Sequence, residues 1–135
     1  MIQSLPDIIA VYRVPCSQLI PNITEKYRAH VPVGVYPLPT EIALCGEASC
    51  EAEQEYDNGG YWEKTVLQFR TLEVISTTPP QAFIAMDAQG QAYIIGVRER
   101  PFPIVEVTHT IDKDTNVYSV KVTFSARKSL VPCSI

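Results

Sequence analysis

The chain is predicted to fold as an all-β, mostly antiparallel domain. The expected form is a single-domain sandwich or barrel of 6–8 strands, with a proline-rich N-terminal arm and at most one or two short helices. Three observations predict it. Eleven prolines in 135 residues is about 8%, against roughly 5% in ordinary chains. Helices resist that load, because an interior proline removes a donor and clashes with the preceding turn. The prolines are also unevenly placed: six fall at positions 6, 15, 21, 32, 37 and 39, and none in the windows 40–78, 81–100 and 104–131. A proline cannot donate to a sheet ladder, so these windows are where central strands belong. Within them, apolar and polar residues alternate with the period of two that a half-buried strand requires.

The elements follow in chain order. Residues 1–39 read as the arm, and 40–135 as the β body of the same domain. Ser4-Leu-Pro-Asp7 has the form of a capping box with an early proline and suits a short helix through Arg13, while Ile8 to Val14 suits a strand equally well. Asn22 to His30 is a second short helix candidate. From 41 to 57, odd positions are largely acidic and even positions small or apolar, which predicts one long strand. Asp57-Asn-Gly-Gly60 tolerates positive φ and turns the chain back. The return strand runs from Tyr61 to about Ile75. Its apolar residues occupy both parities (Trp62 and Val66, Leu67 and Phe69), which predicts a bulge or burial on both faces. A second hairpin joins Gln81–Met86 to Gln91–Val97 through Asp87-Ala-Gln-Gly90, a type I turn closed by a left-handed glycine. A third joins Ile104–Ile111 to Val117–Ala126, where Tyr118, Val120, Val122 and Phe124 share one face.

Composition excludes several functions. Hydrophobic residues make up 46% and charged residues 19%, enough to fill a core. A net charge of −4 without a Lys/Arg cluster argues against nucleic acid as partner. No stretch approaches the ~18 apolar residues of a membrane span, and the first residues have neither the basic nor the apolar region of a signal peptide. Four cysteines (Cys16, Cys45, Cys50, Cys133) then read as reduced thiols of a cytoplasmic protein, and Asn22-Ile-Thr24 carries no glycan.

Chemistry is sparse. Cys45 and Cys50 lie at opposite parity of the expected strand, so they share no metal unless Gly46 makes a bulge. His109 stands among Val105, Val107 and Ile111 and reads as a hydrogen-bonded histidine of an apolar face, while His30 has no ligand-spaced neighbour. Phosphate loops, serine elbows and His-Glu-x-x-His are absent from the sequence. The row Glu51, Glu53, Glu55, Asp57 spaces carboxylates ~7 Å apart, within the range of an inverting glycosidase. Such a pair must flank a sugar from opposite sides, however, and these project side by side. A solvated, edge-protecting face or a docking surface for a basic partner is the reading that remains.

Charge divides along the chain. Residues 1–60 carry 3 basic and 8 acidic side chains, and residues 61–135 carry 8 and 7. Arg98 and Arg100, with Arg127 and Lys128, are candidates to meet the acidic strand of another copy, a head-to-tail contact that closes into a ring or propagates.

Four phrases carry a resemblance: Gly60-Tyr-Trp-Glu-Lys-Thr-Val-Leu-Gln-Phe69, Phe83-Ile-Ala-Met-Asp-Ala-Gln-Gly-Gln-Ala-Tyr-Ile-Ile-Gly96, Arg100-Pro-Phe-Pro103 and Tyr118-Ser-Val-Lys-Val-Thr-Phe124. Over about residues 57–126 the chain resembles small structural proteins of phages and prophages, tail-associated ones in particular. The resemblance implies a non-enzymatic virion structural protein that works by assembly, without catalytic residues, cofactor or metal. Its implied partners are other copies of itself or other virion proteins, met in the bacterial cytoplasm and carried into the virion. The alternative expectation is a small β-barrel binding an apolar or aromatic ligand, with Trp62, Tyr93, Phe102 and Tyr118 at its mouth.

Overall fold

The computed structural model describes residues 2–4, 7–35, 39–57, 60–72, 75, 81–98, 105–112, 116–126 and 129–134. Among them are ten strands: β1 (Ile2–Ser4), β2 (Ile8–Pro15), β3 (Thr40–Ile42), β4 (Ser49–Asp57), β5 (Gly60–Thr71), β6 (Gln81–Asp87), β7 (Ala92–Ile95), β8 (Glu106–Asp112), β9 (Val117–Ala126) and β10 (Val131–Cys133). Every pairing between named strands is antiparallel. One five-stranded sheet, sheet A, has the order β1-β4-β5-β9-β8; the other, sheet B, has the order β10-β7-β6-β2-β3. Successive antiparallel pairs fall in opposite sheets, β2–β3 and the β6–β7 hairpin in sheet B, the β4–β5 and β8–β9 hairpins in sheet A. The all-β prediction holds, and the form is a sandwich. Leu67, Phe69, Val120, Val122 and Phe124 of sheet A close on Val11, Ile42, Phe83, Ala85 and Ile95 of sheet B in one buried cluster.

Alternation set much of this. In β9 the even positions Val120 to Ala126 are buried, and the odd positions between them are exposed or half-buried. In the β6–β7 turn Gly90 has φ +87, and its N–H donates to the Asp87 carbonyl at 3.0 Å. Asp87 is 2% exposed, and its Oδ1 accepts the N–H groups of Gln89 (2.9 Å) and Gln91 (3.0 Å), which ties the turn to its first residue. The β5 register against β4 and β9 runs unbroken from Gly60 to Thr71, so there is no bulge; Leu67 and Phe69 are buried toward the core, whereas Trp62 and Val66 are only half-buried on the other face.

Two expectations changed. The single strand over 41–57 is two strands in different sheets, because the chain crosses the sandwich between Ile42 and Ser49 with Gly46 at φ +106. Of the two readings offered for residues 8–13 the strand is the one that forms, and β2 pairs with β6 on one side and β3 on the other. The rest of the first third also joins the body. A 3-10 turn (Cys16–Gln18), the helix α1 (Ile23–Arg28) and residues 31–35 lie over the outer face of sheet B. There Leu19, Ile23 and Val33 bury against Val14, Ile84, Ile94 and Val131 in a second cluster. Each such aliphatic side chain contributes about 1.5–3 kcal/mol on burial. The segment is clasped at its far end, where Val35 N–H donates to Ser134 O (2.9 Å) and Ser134 N–H to Val33 O (3.0 Å).

The last passage between sheets is fixed by one carboxylate. Glu63 Oε1 on β5 accepts the N–H groups of Ser129 (2.9 Å) and Leu130 (2.8 Å) and the Ser129 hydroxyl (3.2 Å), just before β10. The Ser129 hydroxyl has one proton and gives it to Glu63, so in its 2.5 Å bond with Thr65 it accepts.

Candidate functional site

The two faces of the sandwich are treated differently by the chain. Sheet B is covered on its outside by residues 16–35, whereas the outer face of sheet A carries no such layer among the described residues. On that face the register lines up side chains from four strands. Ser49, Gln68, Lys121 and Thr108 form one row across β4, β5, β9 and β8, and Arg70, Ser119 and Thr110 form the next. Together with Glu47 and Ala48 of the preceding connection they line an open groove of about 450 Å³. Hydroxyls, one amide and two cations project into it, with Glu47 as its carboxylate. The Lys121 side chain makes no hydrogen bond or ion pair among the described residues. The chemistry offered is donation to an anionic or strongly hydrogen-bonding surface, and no nucleophile–base pair lies among the lining residues.

Moving along the same face toward the β4–β5 turn, the charge reverses. Glu51 stands opposite Val66, and Glu53 opposite Lys64; both glutamates are exposed. Glu55 and Asp57 hold the next register positions, opposite Trp62 and Gly60. The row is not at a sheet edge throughout, because β1 pairs with Glu51 to Glu53. Beyond Glu53 the hairpin outruns its neighbours. Strand β9 pairs with β5 only from Glu63 onward, so residues 55–57 and 60–62 pair only with one another among the described residues. Three strand residues at ~3.4 Å each make this tip project by ~10 Å, and Tyr56 on it is 73% exposed.

The remaining candidates are dispersed. Arg98 is exposed just after β7 of sheet B, away from the acidic row in the topology, and Arg100, Arg127, Lys128 and Phe102 lie outside the described residues. The His109 backbone pairs with Val120 in β8, while its side chain lies outside the described residues. Cys45 sits half-buried in the connection between β3 and β4, donating its N–H to Arg70 O at 2.7 Å, and Cys50 is buried on β4. Burial pushes the thiols of Cys50 and Cys133 up to about 12; for Cys50 the charges of Glu51 and Glu63 add to it. Such thiols pack as small apolar groups and are poor nucleophiles. No group of three or more His, Cys, Asp or Glu that could hold a metal occurs among the described residues. Of the four aromatics expected at a ligand mouth, Trp62 and Tyr118 take opposite parities of sheet A, and Tyr93 belongs to sheet B. Tyr93 and Tyr118 pack against the core cluster between the sheets, and Trp62 is half-buried on the other face of sheet A.

The groove was missed in the sequence because its residues come from four separated strands. Its one trace in the sequence is the polar parity of Ser119, Lys121 and Thr123. No helix is long and apolar enough to cross a membrane among the described residues. No family model, curated protein or solved structure matches the chain.

Proposed function

We propose that the chain is a non-enzymatic structural subunit that acts through self-association or docking, as a tail-associated component of a phage or prophage particle. Its partners are further copies of itself or other virion proteins, in the cytoplasm of the bacterial host and then in the virion; nucleic acid and membrane play no part. The observation that carries this reading is the unequal covering of the sandwich. The chain spends residues 16–35 on closing sheet B and leaves sheet A open, with a basic groove at one end and an acidic, aromatic-tipped hairpin at the other. A face with that polarity suits a protein partner of matching charge. The resemblance over residues 57–126 adds the particle context, since two of its phrases form the β6–β7 hairpin and the body of β9.

Sedimentation velocity across a hundredfold concentration range, paired with negative-stain imaging, tests the reading. Concentration-dependent rings or stacks, or a stable complex with a co-expressed product of a neighbouring gene, are expected. A strict monomer that binds none of those neighbours overturns it.

A further inference from the structure

We propose that the groove on sheet A receives the acidic β4–β5 hairpin tip of a second copy of this chain, head to tail. This rests on the reading of the chain as a self-associating subunit and names the contact. Charge complementarity is the first argument. The groove presents Arg70 and Lys121 against the single carboxylate of Glu47, while the tip and its approach carry Glu51, Glu53, Glu55 and Asp57, with Lys64 as the cation across from Glu53. The Lys121 side chain, with no hydrogen bond or ion pair among the described residues, gains a partner in the contact and breaks none.

Shape is the second argument. The tip is two strands wide, about 5 Å between backbones, and the groove runs across four strands, about 14 Å at the same spacing. A hairpin end therefore fits between Glu47 on one side and Thr108 and Thr110 on the other. The Tyr56 side chain at 73% exposure supplies apolar area for burial that the isolated subunit leaves in water.

Placement is the third argument, and it sets the form of the assembly. Four residues of β4 separate the Ser49 row of the groove from Glu53, about 14 Å, and the tip lies further along the same direction. A copy whose tip fills its neighbour's groove still has its own groove empty. Such a contact is heterologous, so it closes as a ring or continues as a stack, according to the rotation per step.

The test is a charge exchange on the full chain. Lys121→Glu reverses the groove, and Glu53→Lys with Glu55→Lys reverses the tip. Sedimentation velocity is run on each variant alone and on their equimolar mixture, with circular dichroism melts to show that both are folded. Each variant alone is expected to lose at least tenfold in association constant. The mixture regains the wild-type size distribution, because the native tip meets the native groove and the basic tip meets the acidic groove. Variants that assemble like the wild type overturn the tip-and-groove contact while self-association through another surface stands. Weakened variants whose mixture stays weak overturn it too. A wild type that never associates overturns the subunit reading along with it.

Discussion

Replacing Glu63 by Ala removes the acceptor on which the passage from β9 to β10 depends. One oxygen holds the N–H groups of Ser129 and Leu130 at 2.9 and 2.8 Å, and no other acceptor for either is seen among the described residues. Ser129 and Leu130 are both about 1% exposed, so water reaches these donors poorly once the carboxylate is gone. A buried donor left unsatisfied costs about 1–3 kcal/mol, and two of them put Glu63→Ala at about 2–6 kcal/mol. The Ser129 hydroxyl loses its acceptor as well, because Thr65 already donates to it. A domain of this kind has about 5–15 kcal/mol in total, so the loss is a large share of it. With roughly 3–5 °C of melting temperature per kcal/mol at this size, the melt falls by about 6–30 °C. Glu63→Gln keeps a carbonyl oxygen at the same reach and forfeits only the charge assistance, about 1 kcal/mol. Urea unfolding followed by circular dichroism measures both. An alanine variant within 1 kcal/mol of wild type refutes the reasoning, and a glutamine variant as damaged as the alanine one shows that charge, not acceptance, holds the segment.

Two further outcomes follow from packing and burial. At Gly96, with φ +134, an added Cβ meets Ala82 Cβ at 2.7 Å and Ala82 Cα at 3.2 Å, whereas at Gly46 (φ +106) it meets nothing within 4 Å. Gly96→Ala is therefore expected to destabilise by about 3 kcal/mol or more and Gly46→Ala by about 1 kcal/mol; equal chemical denaturation midpoints for the two contradict this. The raised thiols of Cys50 and Cys133 make the fold sensitive to alkali. Their stabilisation is complete below about 9, the ordinary thiol value, and is lost as pH rises toward the folded value of about 12. The unfolded chain gives up those protons first, so unfolding becomes easier with each step upward, by up to roughly 4 kcal/mol per thiol at the limit. Urea midpoints from pH 8 to 11 read this, and a slope unchanged in the Cys50→Ala, Cys133→Ala double variant counts against it.

The sequence-based reading succeeded where one face of a strand meets the core and the other meets water. Val120, Val122, Phe124 and Ala126 of β9 announce themselves by parity, and Asp87 to Gly90 by turn chemistry. It failed where parity carries no information about which sheet a residue joins. Ile42 and Cys50 are both buried and share even numbering, yet they belong to opposite sheets, because the chain crosses between them. The covering of sheet B was also missed, although its signal was present. Ala82 to Ala85 are all buried, as a strand covered on both faces must be, and their unbroken apolar run called for a third layer above the sheet. Pro15, Pro21 and Pro32 punctuate the covering layer; they do not mark it as detached. Of the candidate site, the row of Glu51 and Glu53 was legible because a single strand presents it. The groove was not, since Arg70, Thr108, Ser119 and Lys121 become neighbours only through the register of three strands.

The clasp between residues 33–35 and Ser134 bears on the order of events during synthesis. The two partners stand one hundred positions apart, Gly34 bridging Ser134 in parallel. While a ribosome is still producing the stretch between them, the layer over sheet B has no anchor at its far end, and the edge of β7 lacks β10. The nascent chain must then carry Ile84 and Ile94 under a loose cover until the last strand arrives. Closure over such a separation pays its loop entropy before any contact rewards it, which places folding in the slow range of milliseconds to seconds. A partly made chain is thus most exposed to aggregation through sheet B, the face that the finished protein hides best.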